Sequence, residues 1–203
     1  MAPKIIDKQE KRNKIIEAAV KVFARLGFPN TKMLAIAEAA GIGKGTIYEY
    51  FKSKEDLFVA VINAYMQEMD SQIARRVSRV NDPAEKLKVY FEGWMEITEN
   101  EFMEFADIFL DIWAAGLRES KSDLGFDLNK MYGNYRVQIT DILNDGIRKR
   151  RFKSVNTAIV SSIIIGTLDG LMIQWIMDRN IYQMREAIQQ LSDIIIDGLT
   201  RGS

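Results

Sequence analysis

Residues 31–57 read TKMLAIAEAAGIGKGTIYEYFKSKEDL, and this stretch decides the fold. Two short segments with helical apolar spacing flank Gly41-Ile42-Gly43. Ile36 and Ala37 on the first and Ile47 on the second are placed to pack the segments together, the proportions of a helix-turn-helix. Gly41 permits a tight turn where a side chain costs energy. The second segment, about Lys44 to Tyr50, then presents Lys44, Gly45, Thr46, Tyr48, Glu49 and Tyr50. Small, basic and hydroxyl-bearing groups of this kind suit the major groove of a duplex. A tyrosine or threonine hydroxyl donates to a phosphate oxygen, and a lysine adds a charge-assisted contact that releases a counterion. Gly45 lets the backbone come close.

Upstream, Ile15, Ile16, Ala19, Val22, Phe23 and Leu26 form one apolar stripe that Gly27 stops. Downstream, Ser53-Lys54-Glu55-Asp56 resembles a capping box and opens a fourth helix. Asn81-Asp82-Pro83 starts a fifth, which carries Leu87, Tyr90, Phe91, Trp94 and Met95. A sixth carries Phe102, Phe105, Phe109 and Trp113. A seventh, with Tyr132, Tyr135, Ile139 and Ile142, ends on Arg148-Lys149-Arg150-Arg151. The eighth runs from about Val155 to Met177, and the ninth from about Tyr182 to Leu199. No alternating strand pattern interrupts them, so the expected fold is all-α, with about nine helices. The natural division puts a DNA-binding head at 1–54 and a helical body at 55–203.

Composition sets further bounds. The 203 residues are 47% hydrophobic and 28% charged, as in soluble globular chains. There is no cysteine and no histidine, which excludes disulfides, thiolate chemistry, histidine-based triads and the usual zinc sites. No cofactor or metal is expected. Glu104, Asp107 and Asp111 share one side of the sixth helix, opposite its apolar stripe, and read as a solvated face. A helical-bundle di-iron site would need histidines. The net charge is zero, yet residues 1–54 hold 11 Lys/Arg against 5 Asp/Glu, and the remainder holds 17 against 23. A basic head on an acidic body suits an anionic partner for the head alone. Lys4, Lys8, Lys11, Arg12 and Lys14 are either an arm for a neighbouring groove or a solvated helix start. Met1-Ala2-Pro3-Lys4 has no apolar h-region, and the apolar run from Thr157 to Met177 contains Ser161, Ser162, Asp169 and Gln174. A secretory signal and a membrane span are therefore not expected, and the compartment is read as cytoplasmic.

Gly27-Phe28, Thr31, Ile36 to Ile42, Lys44 to Tyr48, Tyr50-Phe51 and Lys54 to Leu57 together resemble the TetR-family DNA-binding signature over about residues 10 to 62. The resemblance implies a homeodomain-like three-helix head on a ligand-binding and dimerisation bundle, a homodimeric transcriptional repressor of operator DNA, and no enzyme activity. By position it assigns Thr46, Tyr48 and Lys54 to phosphates, and Lys44, Gly45 and Tyr50 to base edges or the groove floor. Thr31 and Lys32 fall near the DNA backbone. Gly43 departs from the family's frequent helix-capping residue, and Lys32-Met33 from its usual pair at that point.

The resemblance also implies a four-helix dimer interface from the last two helices, here with Ile163, Gly166, Gly170, Ile188, Leu191 and Ile195. Gly166 and Gly170, four apart, allow close helix approach. Trp94, Phe102, Phe105, Phe109, Trp113, Tyr132, Tyr135, Met172 and Trp175 are candidates to line a cavity for a small hydrophobic effector, or they are simply core. Asp169 either bonds across the dimer or points into that cavity. A TetR-like protein without an effector, an enzyme on a helical bundle and a protein-binding adaptor are the competing readings. Salt-dependent DNA binding, turnover and a sealed core separate them.

Overall fold

A computed structural model describes residues 3–99 and 127–200 of the chain. Eight helices are seen among the described residues: α1 (Pro3–Leu26), α2 (Met33–Ala39), α3 (Lys44–Tyr50), α4 (Lys54–Ser78), α5 (Pro83–Glu99), α6 (Leu128–Arg148), α7 (Thr157–Met177) and α8 (Met184–Leu199). The expected helix through Phe102 to Trp113 lies outside the described residues. Of the described helices, each falls where the apolar spacing puts one. The chain forms two compact units, divided inside α4 between Glu68 and Met69.

In the first unit, the apolar faces of α1, α2 and α3 meet. Ile15, Ala19, Val22, Phe23, Ile36, Ala37, Ile47 and Phe51 are all buried, with Leu57 and Phe58 from the start of α4. The Phe58 ring meets Phe23 edge-on at 5.3 Å and Phe28 at 4.9 Å. Two turns hold the helices at their angles. Gly27 (φ 71°) ends α1 and Gly41 (φ 67°) ends α2, both in the left-handed region that a Cβ disfavours. Ser53 caps α4 by accepting from the Asp56 N–H at 3.1 Å, and the Asp56 carboxylate accepts from the Lys52 N–H at 2.8 Å. This is the capping exchange read from the sequence, its return bond shifted by one residue.

In the second unit, α5 packs on α8 and α6, and α7 packs on α6 and α8. Asp82 caps α5, its Oδ1 accepting from the Ala84 and Glu85 N–H groups. Gly93 lets α5 approach Ile73 of α4 so closely that a Cβ there would sit 2.4 Å from its side chain. Gly146 does the same for Phe152, at 2.0 Å. Phe152 is fully buried, pairs with Thr200 in an isolated antiparallel bridge, and so ties the end of α6 to the end of α8. Asp145 gathers Lys86, Arg148 and Lys149 around its carboxylate and joins α5 to α6.

Candidate DNA interface and effector site

The recognition surface is built on α3. Burying Ile47 and Phe51 leaves a helix of seven residues only one way to face. Lys44, Gly45, Tyr48 and Glu49 are exposed, and Thr46 and Tyr50 are half-buried. Tyr48 is 47% exposed, an unusual position for a large ring that the unit's own core could use. A Cβ built at Gly45 meets nothing within 4 Å, so its backbone stands open. Gly43 precedes α3 with extended dihedrals and offers no side-chain cap. Lys32 is exposed at the start of α2. The basic run before Ile15 is helical from Pro3. Within it Lys14 pairs with Glu10 at 2.9 Å, and the Arg12 guanidinium lies 5.0 Å from the centre of the Phe51 ring.

Two residues assigned to the DNA backbone are used inside the head. Thr31 is 2% exposed, and its hydroxyl donates to the Gly27 carbonyl at 2.8 Å. It closes the turn between α1 and α2 and does not face outward. Lys54 donates from Nζ to the Phe28 carbonyl at 2.7 Å and the Pro29 carbonyl at 3.3 Å, with its ammonium 4.3 Å from the centre of the Phe28 ring. The Phe28 carbonyl also accepts from the Thr31 N–H at 3.2 Å, and the ammonium at the start of α4 adds a charged donor to the loop's carbonyls.

The chain matches the family described as bacterial regulatory proteins, tetR family, over residues 15–61, and the YsiA-like C-terminal region over residues 62–198. The chain belongs to the TetR family. It is a DNA-binding transcriptional regulator that works as a dimer on operator DNA, and it is not an enzyme. It is similar to the fatty acid metabolism regulator protein of Bacillus subtilis, 25% identical over 193 residues that cover 95% of this chain and 97% of that protein. The solved fatty acid degradation regulator FadR of Bacillus halodurans superposes with a TM-score of 0.71 at 27% identity, covering 94% and 97% of the two chains. FadR of Bacillus subtilis, solved with stearoyl-CoA, superposes with a TM-score of 0.70 at 24% identity, covering 91% and 97%.

The second unit brings together part of the expected effector lining. Trp94 and Tyr135 are buried with ring centres 5.5 Å apart, and Tyr132 meets Tyr135 edge-on at 6.4 Å. Asp169 turns inward, accepting from the Tyr132 hydroxyl at 2.9 Å. Met172 and Trp175 are half-buried, the latter under the Arg179 guanidinium at 4.6 Å. Phe102, Phe105, Phe109 and Trp113 lie outside the described residues. Asp70 and Tyr90 join this neighbourhood and were missed. Asp70 accepts a hydrogen bond from Gln138, and burial pushes its pKa up, as it does that of Asp169. Burial also drives the Tyr90 and Tyr135 phenols well above their ordinary range. At Asp169 the signal was a polar residue inside a mostly apolar run; Asp70, among Gln67, Glu68, Ser71 and Gln72, carried no such signal.

The expected dimer residues divide. Ile163 is 52% exposed, Gly166 is open, and Gly170 and Ile195 are half-buried. Ile188 and Leu191 are instead buried in this chain's own core, with Met184, Ile196 and Leu199. The strongest apolar stripe of an amphipathic helix turns to its own subunit first, so choosing by hydrophobicity also picked residues that this chain's own core uses. Ile159, Met177 and Ile194 are exposed and were not chosen.

Proposed function

We propose that the protein is a repressor that occupies a palindromic operator as a homodimer and is released when a small molecule with an apolar body enters the second unit. Lys44, Gly45 and Tyr50 read base edges or the groove floor. Thr46, Tyr48 and Lys32 contact the DNA backbone. The outward face of α3, with Tyr48 standing in solvent beside Lys44, is the observation that carries this reading.

The dimer forms through α7 and α8. The α7 helix is long and apolar enough to cross a membrane by length and composition. Asp169, Ser161, Ser162 and Gln174 are poor groups to place in lipid, and a second copy is the cover that fits a two-headed DNA reader. The protein works in the cytoplasm, where its operator is. The two structural divisions act as a DNA-binding part and a regulatory part. Because α4 is one unbroken helix from Lys54 to Ser78, a shift at its C-terminal turns reaches the residues that follow the recognition helix. Effector and DNA affinities are then linked reciprocally. The complex of the Bacillus subtilis FadR with stearoyl-CoA is a precedent for a ligand that carries an apolar chain.

Selection of bound sequences from a random duplex pool tests the proposal. A palindrome with half-sites about 34–36 Å apart, or a multiple of it, is expected. Recovery of no enriched motif overturns it.

A further inference from the structure

Inside the second unit, the Tyr135 hydroxyl is buried without a hydrogen-bond partner. The Tyr90 hydroxyl and the Trp94 indole N–H are buried with only each other in reach. A buried hydroxyl left so needs an explanation. Tyr135 ties them together, touching Trp94 on one side and Tyr132 on the other, and Tyr132 in turn holds Asp169. The charges of Asp70 and Asp169 both act on the Tyr90 and Tyr135 hydroxyls. No lysine or arginine among the described residues pairs with either carboxylate. Beside the cluster is a cleft of about 260 Å³ walled by Ile73, Val77 and Ile142, with Asp141 and the Asp145-paired Lys86 also on its lining, and Tyr90 and Gln138 belong to both.

We propose that this cluster reads the head group of the effector, and that the head is an organic cation carried on an apolar tail. The inference rests on the effector reading above and adds the sign of the charge. Asp70 and Asp169 supply two negative charges that no lysine or arginine among the described residues balances, at the cost of partial burial. An ammonium between them relieves that cost, whereas a carboxylate or phosphate adds to it. The faces of Tyr90, Tyr132, Tyr135 and Trp94 suit a cation, because each ring is negative on its face. The phenol oxygens can accept from a primary or secondary amine, and each phenol can donate to a carboxylate lone pair once the head has drawn the groups together. The tail takes the apolar walls.

Isothermal titration of the full-length dimer with decyltrimethylammonium, 1-decanol and decanoate, each below its micellar concentration, tests the charge. The cation is expected to bind tightest and decanoate weakest. In Asp70→Asn and Asp169→Asn, each close in shape to the wild type, the preference of the cation over decanol falls about ten-fold while decanol affinity holds. Circular dichroism confirms that each variant is folded. Decanoate or stearoyl-CoA binding more tightly than the cation overturns the head-group assignment and leaves the effector reading standing. An unchanged preference in the Asp70→Asn/Asp169→Asn double variant also overturns it. Failure of all three decyl probes and of stearoyl-CoA to bind removes the effector reading and this inference with it.

Discussion

The ammonium of Lys54 sits 2.7 Å from the carbonyl oxygen of Phe28, 26 residues earlier in the chain. The bond staples the first turn of α4 to the loop between α1 and α2, and the stacking on Phe28 holds the same ring that Phe58 packs against. Lys54→Ala is therefore expected to act through stability. The melting temperature falls by several degrees, consistent with a loss of about 1–2 kcal/mol for a charged hydrogen bond. Operator affinity falls with the population of ordered heads, but the slope of log affinity against log salt stays the same, because the amine holds carbonyls and not phosphate. A drop of about one unit in that slope puts Lys54 on the DNA instead.

Lys44 and Tyr48 behave in the opposite manner. Both project from α3 into solvent, so neither substitution touches the core. Lys44→Ala is expected to leave the melting temperature unchanged, lower the salt slope by about one unit and alter the selected base preference. Tyr48→Phe removes one hydroxyl donor and weakens binding to all duplexes by roughly five- to ten-fold, the worth of one hydrogen bond. Fluorescence anisotropy across a salt series reads both. An affinity unmoved by either change takes α3 out of the interface.

Gly146 has no room for a methyl group. A Cβ there lands 2.0 Å from the ring of Phe152, a buried side chain fixed by the bridge to Thr200. Gly146→Ala is expected to destabilise the second unit by about 1–3 kcal/mol despite the better helix propensity of alanine. Gly146→Ala/Phe152→Leu should recover part of the loss in urea titration. Full stability of the single variant contradicts the packing.

Asp145 carries a pH signature. The hydrogen bond from Lys149, then that from Lys86, holds its carboxyl down to about 2, below the ordinary 3.8. A carboxylate whose folded pKa is depressed favours folding above its unfolded value, and that contribution is lost as the pH falls through the folded one. Wild type is therefore expected to lose stability between pH 3.8 and 2 in excess of Asp145→Asn. Parallel curves of melting temperature against pH for the two proteins deny the site its charge role. Partial exposure of Lys149 screens the effect, so added salt diminishes it.

The head was legible because its information is local. Gly41 must be left-handed, Ile36, Ala37 and Ile47 must meet, and what remains of α3 has to face out. Thr31 and Lys54 take internal partners that the sequence did not show, because a family position says where a residue sits and not which acceptor its hydroxyl or amine finds first. In both cases it is a carbonyl just after the end of α1. The body was legible in its helices but not in its faces. With apolar residues almost all round α7, periodicity has no preferred side, and only the placement of neighbours separates buried Ile164 and Leu168 from exposed Ile159 and Ile163. Asp70 was invisible for a similar reason, since its role depends on Gln138, a residue far away in sequence.

Gly166 offers a sharper test of the dimer than any apolar residue. It is exposed on α7, in line with Ile159, Ile163 and Gly170, and a Cβ built on it meets nothing within 4 Å in its own subunit. Replacing it with leucine removes a poor helix former and adds no clash inside the subunit, so the folded monomer is expected to hold or gain about 0.5–1 kcal/mol. If two copies bring their α7 helices together at this point, the same side chain forces the backbones apart and breaks the contact. Gly166→Leu should therefore sediment as a monomer with wild-type helicity at concentrations where the wild type is dimeric. Ile163→Arg, which places an unpaired charge in the same contact, should do the same. Both variants then bind a single half-site as the wild-type head does and lose the gain in affinity from two heads on one palindrome. A dimer that survives Gly166→Leu and Ile163→Arg is held by some other surface of the chain.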